Sequence, residues 1–192
     1  MFRRFVILST VLLLAPLARA DEPTSRHAVG TVGLTRAEKR SDELDQLFGK
    51  LRNQDSKAQD RIWELWAQSD SATADILLQQ ATKAISGGET KIALAILDQI
   101  VKSYPDFAEA YNKRAALHFM KGNNEDALAD LNRVLDIEPR HFDAMAGRGL
   151  VLEEMGKDKD AIQALRDALL VNPSMDAIKA ALRILEKKSP EI

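Results

Sequence analysis

The chain has 192 residues, 45% hydrophobic and 29% charged, the balance of a soluble globular protein with room for one domain and appendages. It contains no cysteine, which excludes disulfides, thiol catalysis and cysteine-held zinc. A net charge of −2, which becomes −5 if residues 1–20 are removed, argues weakly against nucleic acid or an anionic membrane surface as partner, and with aromatics at only 5% the core must be built from Ala, Leu, Ile and Val.

Residues 1–20 have the pattern of a secretory signal. Arg3 and Arg4 give a basic start, and Phe5 to Ala15 is an apolar run interrupted only by Ser9 and Thr10. Pro16 breaks the run, and Ala18-Arg19-Ala20 offers a small-x-small cleavage site before Asp21. The run is short for a membrane span, and no cysteine follows it to carry a lipid. Cleavage after Ala20 would remove Arg3, Arg4 and Arg19 and take the net charge from −2 to −5. The expectation is an exported, periplasmic chain with no membrane insertion after cleavage; a retained signal would make it an anchored one. Residues 21–40 mix Pro23, Gly30 and Gly33 with Ser, Thr and charges and show no sustained period, as a flexible linker does; His27 would be solvated there.

A helix pair is expected over residues 41–71. Ser41 can cap the first helix, Asp42 and Glu43 suit its first turn, and Leu44, Leu47, Phe48 and Leu51 form an apolar stripe. Asn53-Gln54-Asp55 breaks it, and a second helix, Ser56 to Gln68, carries Ile62, Trp63, Leu65 and Trp66. The two tryptophans could bind a ligand, but the expectation is that they cover the open end of a helical stack formed by residues 74–175, because terminal units of a stack must be atypical. Ser69-Asp70-Ser71 then turns the chain and caps the next helix.

From Ala74 onward the sequence repeats itself every 34 residues. Ala81, Ala115 and Gly149 align; so do Gly88, Gly122 and Gly156, Ala93, Ala127 and Ala161, Leu97, Leu131 and Leu165, and Pro105, Pro139 and Pro173. Each period holds two helical patterns around a glycine turn and closes on a proline that cannot continue a helix. The units are 74–107, 108–141 and 142–175. A final amphipathic helix, 176–188, turns Ile178, Ala181, Leu182 and Leu185 inward and caps the stack, with Lys187 and Lys188 suited to its C-terminus.

These columns resemble the tetratricopeptide repeat. The family pattern falls on Leu77, Ala81, Ala84, Gly88, Ala93, Leu97, Ile100 and Pro105 in the first unit. In the second it falls on Tyr111, Ala115, His118, Gly122, Ala127, Leu131, Val134 and Pro139. In the third it falls on Met145, Gly149, Leu152, Gly156, Ala161, Leu165, Ala168 and Pro173. The phrases Ile62 to Trp66, Phe107 to Ala115 and Glu138 to Phe142 look like those of exported bacterial members. The resemblance implies an all-α fold: a right-handed superhelical stack of antiparallel helix hairpins, with an N-terminal helix pair and a C-terminal capping helix.

It also implies a concave groove, made by the first helices of the hairpins, that takes a protein or peptide segment. Positions i, i+3, i+7 and i+10 share that face. They are Asp75, Leu78, Thr82 and Ile85, then Glu109, Asn112, Ala116 and Phe119, then Asp143, Ala146, Leu150 and Glu153. The expected lining is apolar in the middle and acidic at the rims. Some family members grip a terminal carboxylate with Lys, Asn and Arg; the matching positions here are Leu78, Thr82, Asn112 (or Lys113), Asp143 and Gly147, so that clamp is missing.

No constellation carries chemistry. There is no H-E-x-x-H, no G-x-S-x-G and no glycine-rich phosphate loop, and Gly147-Arg148-Gly149 lies inside a helix with no strand before it. Glu153 and Glu154 are adjacent and so diverge on a helix. His118 takes an aromatic column and is expected to pack; His141 follows Pro139 and is expected in a turn. Arg114 and Arg148 stand where the family places Leu, and each is expected to form a structural salt bridge, for example with Asp130 or Asp136, an anion site being the alternative. The chain is therefore expected not to be an enzyme and to need no cofactor or metal, with a membrane-anchored spacer or a hydrolase using His118 as the other readings.

Overall fold

Nine helices run through residues 35–188, the residues described by the computed structural model, and no strand occurs among them. They are α1 (Arg36–Leu51), α2 (Ser56–Trp66), α3 (Ala72–Ser86), α4 (Thr90–Ser103), α5 (Ala108–Met120), α6 (Asn124–Ile137), α7 (Phe142–Glu154), α8 (Asp158–Val171) and α9 (Asp176–Lys188). The expected signal and most of the expected linker lie outside the described residues. Among the described residues no helix is long and apolar enough to cross a membrane.

Helices α3 to α8 form three hairpins with the same internal logic. Each turn places a glycine at φ near +70°: Gly88 at 74°, Gly122 at 75° and Gly156 at 72°. That left-handed conformation suits glycine, and it lets the next amide reach back to the helix end, as Glu89 N–H does to Ala84 O at 2.8 Å and Lys157 N–H to Leu152 O at 2.8 Å. Where the two helices of a hairpin meet, the residues are small and fully buried: Ala81 against Ala93, and Ala115 against Ala127. In the third hairpin the approach is closer still, since a Cβ on Gly149 would lie 2.6 Å from Leu165 Cδ2. Leu97, Leu131 and Leu165 fill the interior behind these contacts. Successive hairpins bury Ala110 and Leu117 of α5, then Ala144 and Val151 of α7, against the preceding unit. α9 closes the far end with Ile178 and Leu185 buried and Ala181 and Leu182 partly so.

The first two helices depart from expectation in two ways. α1 starts at Arg36, within the stretch expected to be linker, and Ser41 is internal to it. The cause is a capping box: the Thr35 hydroxyl accepts from Glu38 N–H at 3.2 Å, while the Glu38 carboxylate accepts from Thr35 N–H at 2.7 Å. α2 ends at Trp66, two residues short of the expected Gln68.

The larger difference is where the pair goes. It does not stack on the first hairpin as a shortened unit. Leu44, Leu47, Phe48, Leu51, Ile62, Leu65 and Trp66 form a core that takes in Phe142 of α7, with Val171 and Met175 packed against it. The Gln59 carbonyl accepts from the Asn172 amide at 2.6 Å, and Arg140 pairs with Asp45 and lies over the Phe48 ring at 4.5 Å. The pair thus leans on the loops that join one hairpin to the next. Sequence explains why. On α3, the positions equivalent to buried Ala110 and Leu117 and half-buried Arg114 are Ile76, Lys83 and Gln80, all exposed. An end face with Gln and Lys in place of Arg and Leu gives an apolar helix pair little to bury against, whereas Phe142, Val171 and Met175 do.

Candidate partner-binding groove

α5 and α7 run side by side, and α2 lies across from them. Between them is a cleft of about 560 Å³. Of the twelve residues expected on the concave face, Glu109, Asn112, Ala116, Phe119, Asp143 and Leu150 line it together. Asp75, Leu78 and Thr82 line an adjoining hollow of about 610 Å³ with Arg36 and Glu64, and Lys113 and Ala67 border both spaces. Three expected residues are elsewhere. Ala146 is buried in the core behind α7, Ile85 packs half-buried on the first hairpin's core, and Glu153 sits half-exposed in the last turn of α7. Gly147 takes the place meant for Ala146, because α7 turns positions i, i+4 and i+7 (Asp143, Gly147 and Leu150) to the cleft.

Trp63 and Ala67 form the opposite wall. The expectation that both tryptophans cover the open end of the stack rests on terminal units being atypical. A usable signal was present: the buried stripe of α2 is Ala58, Ile62, Leu65 and Trp66, and Trp63 is off it. Trp63 is 42% exposed and donates its indole N–H to Asp143 Oδ2 at 2.6 Å. Trp66, buried beside it, stacks on His141 with ring centroids 3.8 Å apart and planes 11° from parallel.

The expected acidic rim is mostly engaged by the protein itself. Asp75 accepts from the Ser69 amide at 2.6 Å and its hydroxyl at 2.7 Å, and pairs with Arg36 at 3.4 Å. Glu109 accepts from Lys113 at 3.0 Å and the Asn112 amide at 3.0 Å, with His141 Nε2 at 3.3 Å. Burial pushes its carboxyl up, but the His141 hydrogen bond and the Lys113 charge outweigh that and hold it below the ordinary glutamate value. Asp143 is the reverse case: burial lifts its carboxyl above the ordinary value against the pull of the Trp63 hydrogen bond.

His141 is in the turn expected for it and does more. It is fully buried, and its Nδ1 accepts from Ala144 N–H at 3.3 Å, capping α7. With Nδ1 accepting, Nε2 carries the proton toward Glu109, so a neutral ring satisfies both contacts. His118 is half-buried near the end of α5, its Nδ1 3.9 Å from Asp126, and is not among the residues lining the cleft. Arg114 forms the expected salt bridge, gripping Asp130 at 2.8 and 2.7 Å and also Asp98 at 2.7 Å. Arg148 does not. One repeat on, Asn132 and Ala164 occupy the places of Asp98 and Asp130, and Arg148 has no ion pair among the described residues. No group of three or more metal-ligating side chains occurs among the described residues.

A family model for the tetratricopeptide repeat matches residues 78–139 and 121–190. The chain belongs to the tetratricopeptide repeat family. It is 36% identical over 150 residues to a TPR repeat-containing protein of Rhizobium etli, a match that covers 76% of this chain and 74% of the relative. Eukaryotic relatives, 24–30% identical, are matched over 22–40% of their own length. Among solved structures the fold is similar to that of MamA, with a TM-score of 0.59 at 19% identity over 83% of this chain and 87% of that one. It is also similar to the first tetratricopeptide domain of Spaghetti (RPAP3) bound to the HSP90 peptide SRMEEVD, with a TM-score of 0.60 at 19% identity over 62% and 94%. Tetratricopeptide domains act as protein–protein interaction modules that bind peptides.

Proposed function

We propose that this chain is an exported interaction module that holds a segment of a partner protein in the cleft between α2, α5 and α7, within the bacterial cell envelope. The observation that carries this is the cleft's composition: Ala116, Phe119 and Leu150 form an apolar middle, and polar groups are confined to the end near Asp143. The leader-like residues 1–20 support export. The peptide held by the Spaghetti (RPAP3) domain supports peptide binding as the mode of action. An acidic tail of that kind does not suit this cleft, whose clamp positions hold Leu78, Asp143 and Gly147 in place of cations.

The test is recovery of a partner from envelope extracts by crosslinking, followed by surface binding kinetics. Phe119→Ala should weaken binding by more than about 1 kcal/mol and act chiefly through faster dissociation. A partner indifferent to Phe119→Ala uses another face. Mass spectrometry of the exported protein should find a chain beginning at Asp21; a retained leader would favour the anchored spacer.

A further inference from the structure

The cleft has one feature that the expected acidic face did not contain. Its carboxylates are not equivalent. Glu109 has Lys113, and Asp75 has Arg36, but Asp143 has no cation within 4 Å among the described residues. Its single partner is the Trp63 indole N–H, which engages Oδ2 and leaves no described donor on Oδ1. A half-buried carboxylate with an open oxygen facing a cleft is a ready partner for a positive group. Trp63 adds a second attraction for the same group, because an exposed indole face draws cations. Asp143 and Trp63 therefore form one corner that fits an ammonium or guanidinium.

The other requirement lies two turns along α7. Leu150 is seven residues from Asp143, about 10 Å along the helix axis, and together with Phe119 and Ala116 it forms the apolar part of the cleft. An extended peptide covers that span in about three residues. Building on the proposed groove, we propose that the partner segment is an extended peptide bearing a Lys or Arg within about three residues of an aromatic or large aliphatic side chain. The cation meets Asp143 Oδ1 and lies against the face of the Trp63 ring, whose N–H keeps Oδ2, and the apolar side chain lies on Phe119 and Leu150. α2 is thus part of the binding surface, and Trp63 is a specificity-determining residue supplied from outside the repeats.

A random-peptide library displayed on phage, selected on the full chain, tests this, with the enriched peptides then synthesised and their affinities measured. Enriched sequences should pair a basic residue with a nearby Phe, Trp, Leu, Ile or Met. Asp143→Asn keeps a carbonyl oxygen for the Trp63 N–H, so it removes the charge while leaving the wall in place, and it should weaken these peptides about tenfold or more. Trp63→Ala should weaken them several-fold, and Trp63→Phe, which keeps a ring face, should recover part of the loss. Peptides that need Phe119 but bind Asp143→Asn and Trp63→Ala as well as the wild type overturn this inference and leave the proposed groove standing. Peptides indifferent to Phe119→Ala, or no enrichment at all, overturn both.

Discussion

The three hairpins and the N-terminal helix pair bury the same kinds of side chain and are held in different ways. In the hairpins each helix rests on another helix, and the contacts recur every 34 residues: Ala81, Ala115 and Gly149 at the crossings, Leu97, Leu131 and Leu165 behind them. α1 and α2 rest on loops, through contacts that occur once each: Trp66 on His141, Gln59 on Asn172, Phe48 under Arg140. The Trp66 indole N–H is buried with no partner among the described residues, and a hollow of about 500 Å³ remains between the pair and the turn at Tyr104–Ala108. A repeated contact builds a rigid stack; a set of single contacts positions one wall of a cleft against it.

The largest effect should come from the repeated contacts. Leu131→Ala removes a buried side chain from the second hairpin and should cost about 2–5 kcal/mol, lowering the urea midpoint of the whole stack. An unchanged midpoint would mean that the hairpins do not share the core described.

A smaller loss is expected where the two regions join. Glu109→Gln leaves Lys113 without its pair and weakens the bond to His141, and should cost about 1–3 kcal/mol at neutral pH. The folded state holds the Glu109 carboxyl below its unfolded value, so its contribution is present above about pH 4 and is lost as the pH falls through the folded value. Titrating stability should therefore show the wild type and Glu109→Gln converging in acid. Parallel curves would mean that Glu109 is not the group that binds Lys113 and His141.

The smallest effect on stability should be at Asp143. Its carboxyl is raised in the fold, so the sign is opposite: its contribution is full below the unfolded value and is lost as the pH rises through the folded one. Asp143→Asn should change neutral-pH stability by no more than about 0.5 kcal/mol, or raise it slightly. Calorimetry showing a large loss would make Asp143 a structural group and not a binding one. The two carboxylates share a cleft, and only the one already paired should matter to folding.

The same division decides what the sequence makes legible. The hairpins could be read because each column is sampled three times, so the glycine turns, the small residues at the crossings and the closing prolines reinforce one another. The groove was legible in part: the family resemblance implies a face on the first helices, and helical spacing puts Glu109, Asn112, Ala116, Phe119, Asp143 and Leu150 on it. The placement of α2 was not, because Trp63 meets Asp143 across 80 residues of sequence with no second instance to reveal the rule. Nor did spacing say which acids would be engaged, since Arg36, Lys113 and His141 reach them from another helix, the next turn and a loop. Arg148 shows the limit within the repeats themselves: its column matches Arg114, and its partners' columns do not.

The central claim, that a separately held helix pair walls a groove in an otherwise self-sufficient stack, is tested most directly by hydrogen exchange on Trp66→Ala. That change removes the ring stacked on His141 and packed against Phe142 at 4.9 Å between centroids. The account predicts that amides of α1 and α2 lose most of their protection while those of α5 to α8 keep theirs, because the stack does not depend on the pair. A uniform loss across all the helices, with the stack opening as readily as α1 and α2, would contradict it.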